Sequence, residues 1–211
     1  MERPQLQIPT LEQAKVILGG KLPSIIETTH FNENGLAVTQ LGLKVPVYLA
    51  SGLGFNAVGR YFIEHEIKPR MQAAGALVLD PLEQCGEFTT PDMFDTNQPV
   101  EDYLAKWRHF NQVVVGTVNY QLLIPRSKIM LAIMEGYPVD EGVAAEVAYM
   151  ATNFGPVIAV RTDFRRAENA ATGTNPAVTY FASEAFGGIY YESPNAYEDA
   201  YQFLETAINH I

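Results

Sequence analysis

The stretch IMLAIMEGYPVDEGVAAEVAY, residues 129–149, decides the fold. Its first five residues, Ile129–Ile133, form an unbroken apolar run of strand length, and from about residue 141 apolar side chains recur at helical spacing. A strand feeding directly into a helix is the repeating unit of a parallel sheet covered on both faces. Glu146 interrupts the helical pattern. Val143 lies three residues back, and Val147 and Met150 lie one and four ahead, so the carboxylate shares one apolar helix face. Burying a carboxylate is costly unless it is hydrogen-bonded or placed at a cavity. Asp140, six residues upstream, stands where the loop leaves the strand's carboxyl end, the edge at which open α/β sheets bind ligands.

The same alternation extends outward from this unit. Predicted strands are Val45–Ala50, Ala76–Asp80, Ile129–Ile133, Pro156–Val160 and Gly188–Tyr191. Predicted helices run over about 56–74, with Gly75 as C-terminal cap, and over 100–123, 141–154, 176–186 and 196–209. Five strands alternating with helices predict a doubly wound, flavodoxin-like or Rossmann-like α/β sheet of order 2-1-3-4-5. Residues 82–98, rich in Thr, Asp, Glu and Pro, are expected to form a long loop, and residues 161–174 a second polar one. Residues 1–44 read as an N-terminal extension to a domain spanning 45–211. Within it a short helix is predicted over Leu11–Leu18, and Ile25–Thr29 and Leu36–Gln40 are expected to pair as a hairpin.

Composition excludes several function classes. The 211 residues include 47% hydrophobic and 18% charged residues, a core-forming balance for one domain. A net charge of −10 disfavours a nucleic-acid polymer as partner, because phosphate contacts need Lys/Arg patches. Small nucleosides carry no phosphate and are not excluded. Cys85 is the only cysteine, so no intramolecular disulfide or cysteine metal cluster can form. It reads as a bland loop thiol, and its solitude fits a reducing cytoplasm. His30, His65, His109 and His210 are too scattered to suggest metal ligation, so no metal is expected. Neither a signal-peptide-like start nor a membrane-length apolar run is present.

Candidate chemistry centres on carboxylates. Two converging at a sheet edge suit attack at a sugar carbon, one as nucleophile and the other serving the leaving group. The spacing equally fits Asp140 as a helix cap and Glu146 as a partly exposed helix residue. Ser51-Gly52-Leu53-Gly54 after the first strand lacks the third glycine of a dinucleotide fingerprint and the Gly-Lys-Ser/Thr of a P-loop. Small residues there, Gly52 among them, let backbone approach a ligand closely. Tyr48 reads as β-packing, or as a phenol that hydrogen-bonds a carboxylate. Asn175 before Pro176 fits an N-cap. Asn119 and Tyr120 are polar positions late in the helix over 100–123, while Trp107 and Phe110 look like core anchors.

These pieces together resemble the nucleoside 2-deoxyribosyltransferase family over Val47–Leu204. The resemblance rests on Val47-Tyr-Leu-Ala-Ser-Gly52, Leu79-Asp80-Pro81, Ile129–Ala132 and Asp140-Glu141-Gly142 through Ala145-Glu146. It continues through Thr162-Asp163-Phe164-Arg165, Asn175 and Glu198-Asp199-Ala200. It implies a glycosyltransferase, acting in nucleotide salvage, that moves 2-deoxyribose between nucleobases, with N-glycoside hydrolysis or non-catalytic nucleoside binding as alternatives. It implies Glu146 as nucleophile, Asp140 as the group that helps the base leave, and Tyr48 as the residue orienting Glu146. Gly52, Gln84, Asn119 and Asn175 are implied as substrate-binding positions. Asn119 or Tyr120 stands where family members carry a sugar-binding Asp. The implied partners are a nucleoside and a free nucleobase, in a homo-oligomer without cofactor. Ser127-Lys128 replaces the family's Ser/Asn-Asp, and no Arg follows Ser51 until Arg60, which favours nucleosides over nucleotides.

Overall fold

The computed structural model describes residues 7–136, 138–163, 165 and 174–211. Tyr137, Phe164 and most of the second predicted polar loop lie outside the described residues. The chain divides into two compact units. Residues up to Thr28 join Pro81–Pro125 in one, and Thr29–Asp80 join Arg126–Ile211 in the other.

The second unit holds the sheet. Its strands are β1 (His30–Phe31), β2 (Ala37–Thr39), β3 (Gly42–Ser51), β4 (Ala76–Leu79), β5 (Ile129–Ile133), β6 (Val157–Arg161) and β7 (Ile189–Glu192). The last five are parallel and lie in the order β4-β3-β5-β6-β7, which is 2-1-3-4-5 along the chain. This is the doubly wound, flavodoxin-like arrangement. The order reverses beside β3, so the switch point lies between β3 and β5. Every residue of β5 and β6 is buried, as expected where helices cover both faces.

Period-two alternation assigns the faces. Val47, Leu49, Ile129, Leu131, Ile133, Ile158 and Val160 pack with Ile63, Ile67 and Met71 from one helical stretch and Ala196, Ala200 and Leu204 from the C-terminal helix Ala196–Ile208. The opposite face carries Tyr48 and a row of alanines in register, Ala50, Ala132 and Ala159. Small side chains there let the helix Glu141–Asn153 lie close to the sheet. Its buried residues are Val143, Glu146, Val147 and Met150, the stripe read from spacing.

Four expectations need correction. Ile25–Thr29 is not a strand: Ser24–Thr28 is helical, and the antiparallel pairing falls later, with His30 opposite Val38 and Phe31 opposite Ala37. The residues over 82–98 are not all loop, since Pro81–Gly86 is a helix and Pro91–Met93 a short 3-10 turn. Proline at the first position of each is compatible with helix initiation, because its missing N–H would be unpaired there anyway. Cys85 is accordingly a buried helix residue, not a loop thiol. The anchors Trp107 and Phe110 are only half-buried, and the Trp107 indole N–H donates to the Met93 carbonyl at 3.0 Å.

Two helical stretches widen into π form, at Ile63–Ile67 and Phe110–Leu123. Each ends two residues before a proline, Pro69 and Pro125. A helical proline has no N–H and its ring collides with the carbonyl four residues back, so locally wider winding relieves the clash. In the first unit the buried residues Val114, Val118 and Leu123 are spaced by steps of four and five residues. No helix among the described residues is long and apolar enough to cross a membrane.

Candidate active site

At the switch point, β3 supplies a phenol and the helix after β5 supplies a carboxylate. Tyr48 is fully buried in mid-strand, and its hydroxyl donates to Glu146 Oε1 at 2.7 Å. Glu146 is only 7% exposed. A hydrogen bond to a charged group is worth about 1.5–3 kcal/mol. Burying an ion costs several kcal/mol. The Tyr48 hydroxyl is thus one of the partners that a carboxylate needs at such a depth. Helical side chains lean toward the helix N-terminus, which tilts Glu146 toward the Asp140 end.

Asp140 caps that helix, with Oδ1 accepting the Val143 N–H at 3.0 Å. The capping role foreseen from spacing is real, while the partly exposed position considered for Glu146 is not what the fold provides. Glycine at position 52 is required by Asp140. A Cβ added there would sit 2.8 Å from the Asp140 Cβ, so the missing side chain is the space Asp140 occupies. Gly142 is similarly placed, with its hypothetical Cβ 3.0 Å from Asp140 Oδ1. Tyr48, Gly52, Asp140 and Glu146 thus belong to one arrangement within the second unit.

The remaining candidate positions have local partners. Asn175 is the N-cap of Pro176–Phe181, its Oδ1 accepting the Ala177 N–H at 2.9 Å. That short helix packs against Glu141–Asn153. In the first unit, Gln84 is buried and its Oε1 accepts the Ile25 N–H at 3.1 Å. Asn119 is also buried there, with the Cys85 thiol donating to its Oδ1 at 3.4 Å, whereas Tyr120 is half-buried.

One polar group at the sheet's carboxyl edge was not foreseen. Arg161, the last residue of β6, is fully buried, and Glu135 follows β5. Arg161 read as the start of a polar loop, and no periodicity separates a buried strand-end arginine from a solvated one. Its only sequence signal is position, immediately after four apolar strand residues. Nearby, Arg165 pairs with Asp163 and holds that carboxyl far below the usual range, chiefly through their side-chain hydrogen bonds.

The model of the family described as nucleoside 2-deoxyribosyltransferase matches residues 47–200. A conserved protein from Enterococcus faecalis V583 is similar in fold, at TM-score 0.50 and 16% identity, covering 78% of this chain and 99% of its own. A 2-desoxiribosyltransferase from Leishmania mexicana aligns at TM-score 0.44 and 13% identity, covering 77% of this chain and 97% of its own. Comparison with curated protein sequences gives no match.

Proposed function

Because the chain belongs to the nucleoside 2-deoxyribosyltransferase family, we propose that it transfers 2-deoxyribose between nucleobases by double displacement at Glu146. The observation that carries this reading is the buried Tyr48–Glu146 hydrogen bond, made to the helix that Asp140 caps. In the first step a Glu146 carboxylate oxygen attacks the anomeric carbon as the bond to the base nitrogen breaks. Asp140 contacts the base and helps it depart. The glycosyl ester on Glu146 is then attacked by a second base from the vacated side, so two inversions give overall retention. Tyr48 orients Glu146 for the first attack. A 2′-hydroxyl withdraws electrons from the oxocarbenium-like centre, so deoxyribosides react faster than ribosides.

Gly52, Gln84, Asn119 and Asn175 are assigned to substrate binding on the family resemblance. The proposal includes a cytoplasmic salvage role and a homo-oligomer, for which light scattering at micromolar concentration is the check. A fully active monomer of about 23 kDa would remove the assembly from the proposal.

Incubation of deoxyinosine with adenine or cytosine, followed by chromatography, tests the reaction. A new deoxynucleoside is expected. Free base and sugar alone would make the protein an N-glycoside hydrolase using water as acceptor. Binding without base release would make it a nucleoside-binding domain.

A further inference from the structure

The loops that leave β5 and β6 are tied to each other reciprocally. Arg161 Nη1 donates to the Met134 and Gly136 carbonyls, both at 2.8 Å, and Nη2 donates to the Arg165 carbonyl at 2.9 Å. In return Glu135, the residue between those first two carbonyls, accepts from the loop that follows Arg161. Its Oε1 takes the Thr162 N–H and hydroxyl, both at 2.7 Å, and its Oε2 takes the Asp163 N–H at 2.9 Å. Each side chain grips the backbone flanking the other.

The chemistry of Arg161 is unusual for a buried cation. Among the described residues its hydrogen bonds go to carbonyls, while the Asp163 and Glu192 carboxylates stand off at 4.0 Å. A lysine there could match the charge but not the planar fork, which serves three carbonyls from two nitrogens. Such an arrangement spends a fully buried guanidinium on fixing backbone. The backbone it fixes, residues 134–136, leads into the segment that ends at Asp140 and opens the helix bearing Glu146. Gly136 has φ +100°, a left-handed conformation that glycine accepts readily, so the turn has a defined shape to hold.

We propose that the Arg161–Glu135 clasp is a positioning device for the reaction, holding Asp140 where it meets the departing base. This rests on the proposed transferase reading and adds residues to it that touch no substrate. Misplacement by about 1 Å costs on the order of a hundredfold in rate. Arg161→Lys is therefore expected to lower kcat about ten- to a hundredfold with little change in KM. Glu135→Gln, at a half-buried position, keeps the shape but removes one accepting oxygen, and should act in the same direction if Arg161→Lys does not fold.

The discriminating readouts are leaving-group dependence and coupling. If the clasp acts through Asp140, each variant loses most with the poorest leaving base, and adding Asp140→Asn deepens the loss little. A loss equal for all bases and additive with Asp140→Asn would overturn the proposal in favour of a general structural role. Amide hydrogen exchange gives a readout independent of turnover. The Val143 N–H, bonded to Asp140, should exchange faster in both variants than in the parent protein, and unchanged protection overturns the clasp. Failure of the parent protein to release any base would instead count against the transferase reading, leaving the exchange result to decide the clasp.

Discussion

Tyr48, Glu146, Asp140 and Gly52 show how far single residues could be read. Glu146 was legible because a carboxylate on an apolar stripe is an anomaly that periodicity exposes, and the fold buries it against Tyr48. Gly52 was legible as a close-approach position, but the approaching group is Asp140. The Arg161–Glu135 pair was not legible, because their contacts join residues 25 to 28 apart and their charges suit a solvated loop equally well. The Gly52 geometry gives a clean test. Its φ of −77° suits any residue, so Gly52→Ala is opposed only by the 2.8 Å contact with Asp140. We expect a stability loss of about 1–3 kcal/mol from overpacking. Turnover should fall further than stability explains, because Asp140 must move. Denaturant midpoints and exchange rates measured on one preparation check both, and an alanine variant of unchanged activity would show that Asp140 does not need its present place.

Among the elements, the five parallel strands emerged from the sequence as short, mainly apolar runs bounded by turns, fully buried in β5 and β6 and half-buried in β7. The helix Pro81–Gly86 and the two-residue strand β1 did not, since such brief elements owe their form to tertiary contacts more than to local pattern, whereas β2 falls within the predicted strand Leu36–Gln40. The π segment Ile63–Ile67 was also hidden, and for Phe110–Leu123 the sequence pointed only to an irregularity near Gly116. The C-terminal helix Ala196–Ile208 carries a pH consequence. Burial pushes the Tyr201 phenol up to about 12 and the Tyr197 phenol higher still, with Glu135 adding to the latter. Burial favours the neutral phenol, so the folded pKa exceeds the unfolded value of about 10. The resulting stability is whole below about pH 10 and drains away as pH rises toward the folded values. Thermal melts between pH 9 and 12 should show this alkaline decline, and Tyr197→Phe should flatten it. An unchanged alkaline limb in that variant would remove Tyr197 from the explanation.

At the scale of the whole molecule, the residues split into two compact units whose membership alternates along the chain, a division no linear composition profile reveals. The N-terminal residues are shared between them: those up to Thr28 go with Pro81–Pro125, while β1 and β2 join the sheet. Sheet order, by contrast, was readable, because strand–helix alternation admits few topologies. The proposed reaction centres on one atom group, the Glu146 carboxylate. Its most direct test is the intact mass of the protein after mixing with a deoxynucleoside in the absence of an acceptor base and rapid acid quenching. We expect a population heavier by one 2-deoxyribosyl group, mapped by proteolysis to the peptide containing Glu146, and neither adduct nor base exchange in a folded Glu146→Gln variant. A sugar adduct on another residue, or near-normal exchange by Glu146→Gln, would contradict the account.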